Sequence, residues 1–202
     1  MTKIILVRHG VTTWNHQFRY QGHSDIPLAE EGFLQAKKVA LRLAKEPAAA
    51  VYASDLGRAA NTAHVIAEQH KLTVKLLPAL REINFGLWEG KTYPELEKGY
   101  AKEVQGLFSC PADLLIPEGE SFRQVKNRAY SAIMDVAKQH AGETIIAVSH
   151  GGTIRTILCA VLDLDLNKLW NIKQDNTAVN IIEFYEHKAV VALVNDTHHL
   201  RS

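Results

Sequence analysis

The sequence has few cysteines and no long apolar run, and both shortages restrict where the protein can reside. Its two cysteines, Cys110 and Cys159, are too few for a disulfide framework or a four-cysteine metal site, and they fit a reducing compartment. No stretch approaches the roughly 18 apolar residues of a membrane span, and the apolar run at the N-terminus is too short for a signal-peptide core. We therefore expect a cytoplasmic protein.

Charge of one sign is also lacking. The 23 basic and 22 acidic residues leave a net charge of +1, whereas nucleic acids and anionic membranes require clustered positive charge. We therefore expect neither as a partner. The 202 residues, of which 47% are hydrophobic, are enough for one domain with its own core, so we predict a single domain over residues 1–202.

Strand-like and helix-like segments alternate along most of the chain. Residues 3–7, Lys-Ile-Ile-Leu-Val, are mostly apolar and rich in β-branched side chains without polar alternation, which is typical of a central strand covered on both faces. Further strands are predicted at 50–53, 73–77, 143–148, 178–184 and 189–194, and helices at 29–45, 57–70, 121–139 and 152–162. This order predicts an α/β fold with a doubly wound, mostly parallel sheet, helices on both faces and antiparallel edge strands.

The segment from residue 83 to residue 120 departs from this alternation. Glycines and prolines interrupt it repeatedly, so we predict short pieces that form an inserted lid. It contains seven acidic residues, three lysines and no arginine. Its large apolar residues include Phe85, Leu87, Trp88, Leu107, Phe108, Leu114, Leu115 and Ile116.

Five polar residues lie at or soon after the ends of predicted strands, where open α/β sheets bind ligands. These are Arg8, His9, Arg58, Glu82 and His150. A guanidinium matches phosphate oxygens, a neutral imidazole can attack phosphorus, and a carboxylic acid can protonate a departing alkoxide. Each residue alone has an ordinary structural explanation, but the set predicts phosphoryl transfer.

An ordered series of motifs surrounds these residues. In chain order it comprises Leu-Val-Arg-His-Gly-Val-Thr-Thr-Trp-Asn at 6–15, Tyr-Gln-Gly at 20–22, Asp-Ile-Pro-Leu at 25–28, Ser-Asp-Leu-Gly-Arg-Ala at 54–59, Leu-Arg-Glu-Ile at 80–83, Gly-Glu-Ser at 119–121 and Val-Ser-His-Gly-Gly at 148–152. The series resembles the histidine phosphatase superfamily, in its phosphoglycerate mutase-like branch. Val11 is a departure, since the family often has Glu or Ala there.

The resemblance implies a role for each of the five residues. His9 would be the nucleophile and Glu82 the proton donor, while Arg8, Arg58 and His150 would bind the phosphoryl oxygens. His9 must be neutral to attack, so we expect a backbone carbonyl to hold its other ring nitrogen.

Weaker expectations follow for the surroundings of the site. Further contacts to phosphate or substrate are implied for Asn15, Gln21, Gly22 and Gly151. The remaining histidines lack the spacing of metal ligands, so neither a metal nor another cofactor is expected.

The resemblance leaves both hydrolysis and isomerisation open. A mutase must hold a bisphosphorylated acid, which demands basic groups in the lid, whereas residues 83–120 are net negative and rich in apolar side chains. We therefore predict a phosphatase acting on a small phosphorylated metabolite, with a phosphoglycerate mutase-type isomerase as the alternative. The substrate could be α-ribazole 5'-phosphate, phosphoserine or a broad range of monoesters. The sequence also leaves the oligomeric state open and is compatible with a homodimer.

Overall fold

The computed structural model describes residues 1–201 and is built around one six-stranded β-sheet. Its order is β3-β2-β4-β1-β5-β6, with β1 to β4 parallel and β5 and β6 added antiparallel at one edge. The strands are β1 (Thr2–Arg8), β2 (Ala48–Ala53), β3 (Val74–Leu76), β4 (Thr144–Ser149), β5 (Val179–Phe184) and β6 (Ala189–Asp196). The predicted mostly parallel sheet with antiparallel edge strands is confirmed.

Helices cover both faces of the sheet, as predicted. Successive residues of β1 point to opposite faces, so Ile4 and Leu6 pack under the helices at 122–139 and 151–161, while Ile5 and Val7 pack under those at 30–43 and 57–70. All four are completely buried. The helices are α1 (Thr13–His16), α2 (Glu30–Leu43), α3 (Gly57–His70), α4 (Tyr93–Ser109), α5 (Phe122–Gln139) and α6 (Gly151–Val161). Among residues 1–201, none of the helices has the length and apolar character that crossing a bilayer requires.

The prediction of short pieces throughout residues 83–120 is wrong. The helix α4 occupies 17 of these positions. Pro94 lies in its first turn, where a backbone N–H has no partner within the helix, so proline is tolerated there. Tyr100 has non-helical torsions (φ −137°, ψ 35°) and divides the helix by a kink. Pro94 thus marks the start of a helix rather than a loop.

The apolar residues of this segment mostly belong to a third core. Trp88, Leu107 and Ile116 are at most 1% exposed and pack with Phe122 and Val125 of α5. Of the eight apolar residues counted above, Leu87, Phe108 and Leu115 are clearly exposed. The apolar composition of the segment therefore reflects packing, and it does not by itself describe the substrate.

Candidate active site

Two neighbouring parallel strands bring the predicted histidines together. Arg8, the last residue of β1, pairs in register with Ser149, the last residue of β4. His9 and His150 each follow directly, and their ring centroids lie 5.1 Å apart. Because the carboxyl ends of parallel strands meet at one edge of the sheet, the sequence forces this proximity.

A cavity of about 140 Å³ opens at this edge. Four of the five residues assigned to the chemistry line it, and His150 lies completely buried beside His9. The lining residues are Arg8, His9, Asn15, Arg19, Tyr20, Gln21, Gly22, Arg58, Glu82 and Phe85.

The ring of His9 is held in one tautomer. Its Nδ1 lies 2.7 Å from the carbonyl oxygen of Gly10, and a carbonyl can only accept, so Nδ1 carries the proton and Nε2 keeps its lone pair. Burial, followed by the positive charges of Arg58 and Arg8, lowers the pKa of His9 well below the ordinary value of 6.5. The expected backbone carbonyl is thus present, and the imidazole is neutral at physiological pH.

His150 is buried without a hydrogen-bond partner within residues 1–201. This applies to both ring nitrogens, and to Nε of Arg8 and Nε of Arg58. Burial is also the main cause that lowers the pKa of His150 well below 6.5, with Arg58 and His9 adding to it. Buried polar atoms without partners are rare in proteins, and two of these four belong to Arg8 and Arg58, which line the cavity. They indicate a site built to receive a polar ligand.

The two arginines give the cavity its charge. Arg8 donates from Nη1 to the carbonyl of Gln174 (2.6 Å), while Arg58 donates from Nη1 and Nη2 to the carbonyls of Ser24 (2.8 Å) and Gly22 (2.7 Å). Neither forms a salt bridge within the part of the chain that the structure describes. Burial lowers the pKa of Arg8 to about 10, so both groups remain cationic. Two neighbouring cations that form no salt bridge, Arg58 buried and Arg8 partly buried, match a dianionic phosphoryl group.

Glu82 lies against the N-terminus of α6. Its Oε2 accepts from the backbone N–H of Gly152 (3.0 Å), and its Oε1 accepts from those of Thr153 (3.1 Å) and Ile83 (3.0 Å). A Cβ at position 152 would lie 2.5 Å from Oε1, so only glycine admits the carboxylate at this place. The Gly-Gly pair after His150 therefore begins α6 and leaves room for the Glu82 carboxylate at the N-terminus of that helix.

Arg128 of α5 fixes the loop that carries Glu82. Its guanidinium donates to the carbonyls of Ala79 (2.7 Å), Arg81 (2.8 Å) and Glu82 (2.8 Å). It also forms two hydrogen bonds of 2.9 Å with the carboxylate of Glu120. Arg128 was not predicted from the sequence, because it lies mid-helix, 46 positions from Glu82. The only hint was Glu120 within the Gly-Glu-Ser motif.

The four further residues that the resemblance implied as phosphate or substrate contacts line the cavity or support its wall. Asn15 lines the cavity and accepts from the backbone N–H of Thr12 (3.0 Å), and the buried Gln21 accepts from the Thr12 hydroxyl (2.9 Å). Gly22 supplies the carbonyl that holds Arg58. Gly151 is not a lining residue, and a Cβ there would lie 3.3 Å from Nε of Arg8, so it leaves room for that guanidinium.

The charge count of residues 83–120 does not describe the cavity. Glu89 accepts from the backbone N–H of His23 (2.7 Å) and Ser24 (2.8 Å), and Glu120 is bound to Arg128. These carboxylates hold loops in place. A cation from outside the segment, Arg19, lines the cavity instead, and no local pattern had singled it out. The net charge and apolar content of residues 83–120 therefore do not exclude a mutase.

Among the described residues, no group of three or more histidine, cysteine, aspartate or glutamate side chains is placed to hold a metal ion.

The low pKa values of His9 and His150 predict a loss of stability in acid. Below pH 6.5 both histidines become protonated in the unfolded chain but stay neutral in the folded chain. The free energy of unfolding should therefore fall as the pH is lowered. Each histidine should contribute a slope approaching about 1.4 kcal/mol per pH unit. Chemical denaturation from neutral pH down to about pH 5 measures this slope. His199, whose pKa burial lowers to about 4, adds a similar contribution.

The variant His150→Gln isolates one contribution, because its slope should be smaller than the wild-type slope by that amount. His64→Gln replaces an exposed histidine of α3 and serves as the control. An unchanged slope in His150→Gln would contradict the lowered pKa.

Comparison with known proteins identifies the family. The model described as "Histidine phosphatase superfamily (branch 1)" matches residues 4–197, so the chain belongs to that superfamily. It is an enzyme of the phosphatase class, a phosphoric monoester hydrolase, as the sequence predicted. This identification rests on the family and its phosphatase members rather than on the composition of residues 83–120.

Named relatives cover nearly the whole chain. "Phosphoserine phosphatase 1" of Hydrogenobacter thermophilus is 36% identical over 99% of this chain and 95% of its own. "Metal-independent phosphoserine phosphatase" of Arabidopsis thaliana is 37% identical over 100% and 84%. A "Probable phosphoglycerate mutase GpmB" of Yersinia pestis is 34% identical over 99% and 95%. Among solved structures, Bacillus stearothermophilus YhfR superposes with a TM-score of 0.95 at 34% identity, covering 99% of this chain and 100% of the other.

Proposed function

We propose that this enzyme moves the phosphoryl group of a small phosphomonoester onto Nε2 of His9 and then to water, without a metal or another cofactor. The observation that carries the proposal is the fixed tautomer of His9. Its unprotonated Nε2 lies on a residue that lines a cavity together with Arg8 and the buried Arg58, two guanidinium groups that form no salt bridge with a carboxylate in the described part of the chain.

In the first step the substrate phosphate occupies the cavity. Arg8, Arg58 and His150 donate hydrogen bonds to its oxygens, which provides partners for the buried nitrogens that have none. Nε2 of His9 forms a bond to phosphorus while the bond from phosphorus to the ester oxygen breaks. The departing alkoxide takes a proton from Glu82, whose Oε2 accepts only one hydrogen bond and so has a lone-pair direction left to carry it.

In the second step a water molecule attacks the phosphohistidine. The Glu82 carboxylate takes a proton from this water, the bond between phosphorus and Nε2 breaks, and inorganic phosphate leaves. His9 returns to the neutral form with its proton on Nδ1, and Glu82 is again protonated.

Phosphoserine is the first candidate substrate. Two relatives named for phosphoserine hydrolysis are 36% and 37% identical to the chain, and a cavity of about 140 Å³ suits a small substrate. α-Ribazole 5'-phosphate and broad specificity are the alternatives for the substrate, and isomerisation of phosphoglycerate is the alternative reaction. Cys110 and Cys159 are both free thiols, which supports our assignment of the enzyme to the cytoplasm.

A product assay separates the alternatives. The enzyme should hydrolyse phosphoserine in excess EDTA at an undiminished rate, because arginines and histidines stabilise the transferred charge. With 3-phosphoglycerate and a trace of bisphosphoglycerate it should release inorganic phosphate far faster than it forms 2-phosphoglycerate. Efficient isomerisation without net phosphate release would make the enzyme a mutase, and loss of activity in EDTA would require a metal.

A further inference from the structure

A second cavity, of about 380 Å³, adjoins the catalytic one. It is lined by Phe18, Arg19, Tyr20, Tyr93 and Phe108, and we call it the aromatic groove. Arg19 and Tyr20 line both cavities. We infer that the aromatic groove binds a planar apolar group of a phosphomonoester whose phosphate lies against His9. This inference rests on the proposed function, and it names a substrate class for the same site.

Three aromatic side chains of the groove are turned towards solvent. Phe18 is 84% exposed, Phe108 is 50% exposed and Tyr93 is 41% exposed. Single exposed apolar residues are common, but a concave cluster of them beside a catalytic cavity is typical of a binding surface. Because Arg19 and Tyr20 line both cavities, the groove adjoins the site where the phosphate would lie.

The backbone of Phe18 strengthens this argument. Its φ of +54° lies in the left-handed region, which is unfavourable for a bulky side chain and is usually occupied by glycine or asparagine. With 84% of its surface exposed, Phe18 gains little from burial to offset that conformational cost. Stability therefore gives no reason for a phenylalanine here, whereas contact with a ligand does.

Two structural features assemble the groove. An antiparallel bridge joins Arg19 to Thr92, and the N–H of Tyr20 donates to the carbonyl of Lys91 (3.0 Å), so Phe18 is brought near the start of α4. The kink at Tyr100 then folds α4 back on itself. The rings of Tyr93 and Phe108 lie 5.9 Å apart, although a straight helix, rising about 1.5 Å per residue, would separate these positions by about 22 Å.

The chemistry of the walls selects the ligand. Aromatic rings and a guanidinium plane both stack on flat groups. The guanidinium of Arg19 is held by the carbonyl of Gly90 and by Glu95 (3.3 Å), so its charge is already partly neutralised. An apolar planar group therefore suits this groove better than a second anionic group does.

Matched pairs of alkyl phosphates test the inference. Each pair consists of an ester with a terminal phenyl ring and the ring-free ester of the same chain length, so both alcohols need the same protonation on leaving. At the best chain length, kcat/KM of the wild-type enzyme should favour the ring-bearing ester by about tenfold or more. Phe18→Asn and Phe108→Ser should each reduce that ratio to about threefold or less.

Phe33→Asn is the matched control, because Phe33 is an exposed phenylalanine (41%) on α2, outside both cavities. Its ratio should equal that of the wild type. Since asparagine tolerates the left-handed region, Phe18→Asn should also raise Tm by about 2 °C, which excludes misfolding as the cause of a lost preference.

A ratio near one in the wild type, or a ratio that neither groove variant changes, overturns the inference. So does a wild-type dimer that shows no ring preference and that Phe18→Asn dissociates, since a second copy of the chain then covers the groove. Failure of the proposed function has a different signature, namely a persisting ring preference without a phosphoenzyme on His9.

Discussion

Replacing His9 with alanine should lower kcat/KM by roughly 10⁴- to 10⁶-fold, the scale on which nucleophile removal disables enzymes that form covalent intermediates. The variant keeps the guanidinium groups that bind phosphate but has no atom to accept the phosphoryl group. Rapid quench of the wild type with labelled phosphoserine should trap a phosphoenzyme that is labile in acid and stable in base. The variant should trap none.

Two further variants make this result specific. His187→Ala removes a histidine whose side chain is 88% exposed, and it should behave as the wild type. His150→Asn should slow turnover yet still form the phosphoenzyme, because the ring of His150 lacks the carbonyl contact that fixes His9 for attack. Turnover near the wild-type rate in His9→Ala, or a phosphoenzyme that persists in it, would contradict the mechanism.

The sheet and the helices on its faces could be predicted because local pattern and tertiary environment agree there. An unbroken apolar run such as residues 4–7 has one stable location, a strand covered on both faces. The helix predicted over residues 57–70 has the bounds that the structure gives to α3. Residues 83–120 could not be predicted in this way, because Trp88 and Leu107 are buried by packing with residues of α5 that no local pattern specifies.

The residues of the candidate site also fall into those that a local pattern predicts and those that it does not. His9 and His150 could be found because parallel strands in register carry the residues after them to one edge of the sheet. Arg128 could not, because it acts on Glu82 through three carbonyl groups distant in sequence. The charge count failed for a related reason. Glu89 is counted as a free charge in the sequence, whereas in the fold it holds the backbone of a loop.

Glu82→Gln should lower kcat/KM for an alkyl phosphate by roughly 10²- to 10⁴-fold, the usual contribution of a general acid. The amide has no proton to give to the departing alkoxide. With p-nitrophenyl phosphate the loss should be much smaller, because p-nitrophenolate leaves without protonation. The amide also replaces one oxygen that accepts backbone N–H groups, which disturbs the start of α6. That disturbance should lower kcat/KM for both substrates by the same factor. The ratio of the two losses therefore measures the contribution of Glu82 as a general acid.

Arg128→Lys tests the same assignment without changing the carboxyl group. A lysine cannot satisfy three carbonyls and Glu120 together, so the loop moves Glu82 away from the leaving group. The fall in kcat/KM should again be larger for the alkyl phosphate than for p-nitrophenyl phosphate, by roughly tenfold. Arg123→Lys is the control, because Arg123 lies on the same helix and is paired with Asp113 in an exposed position. Equal losses on both substrates in Glu82→Gln and in Arg128→Lys would remove Glu82 from the role of acid and leave His150 as the next candidate.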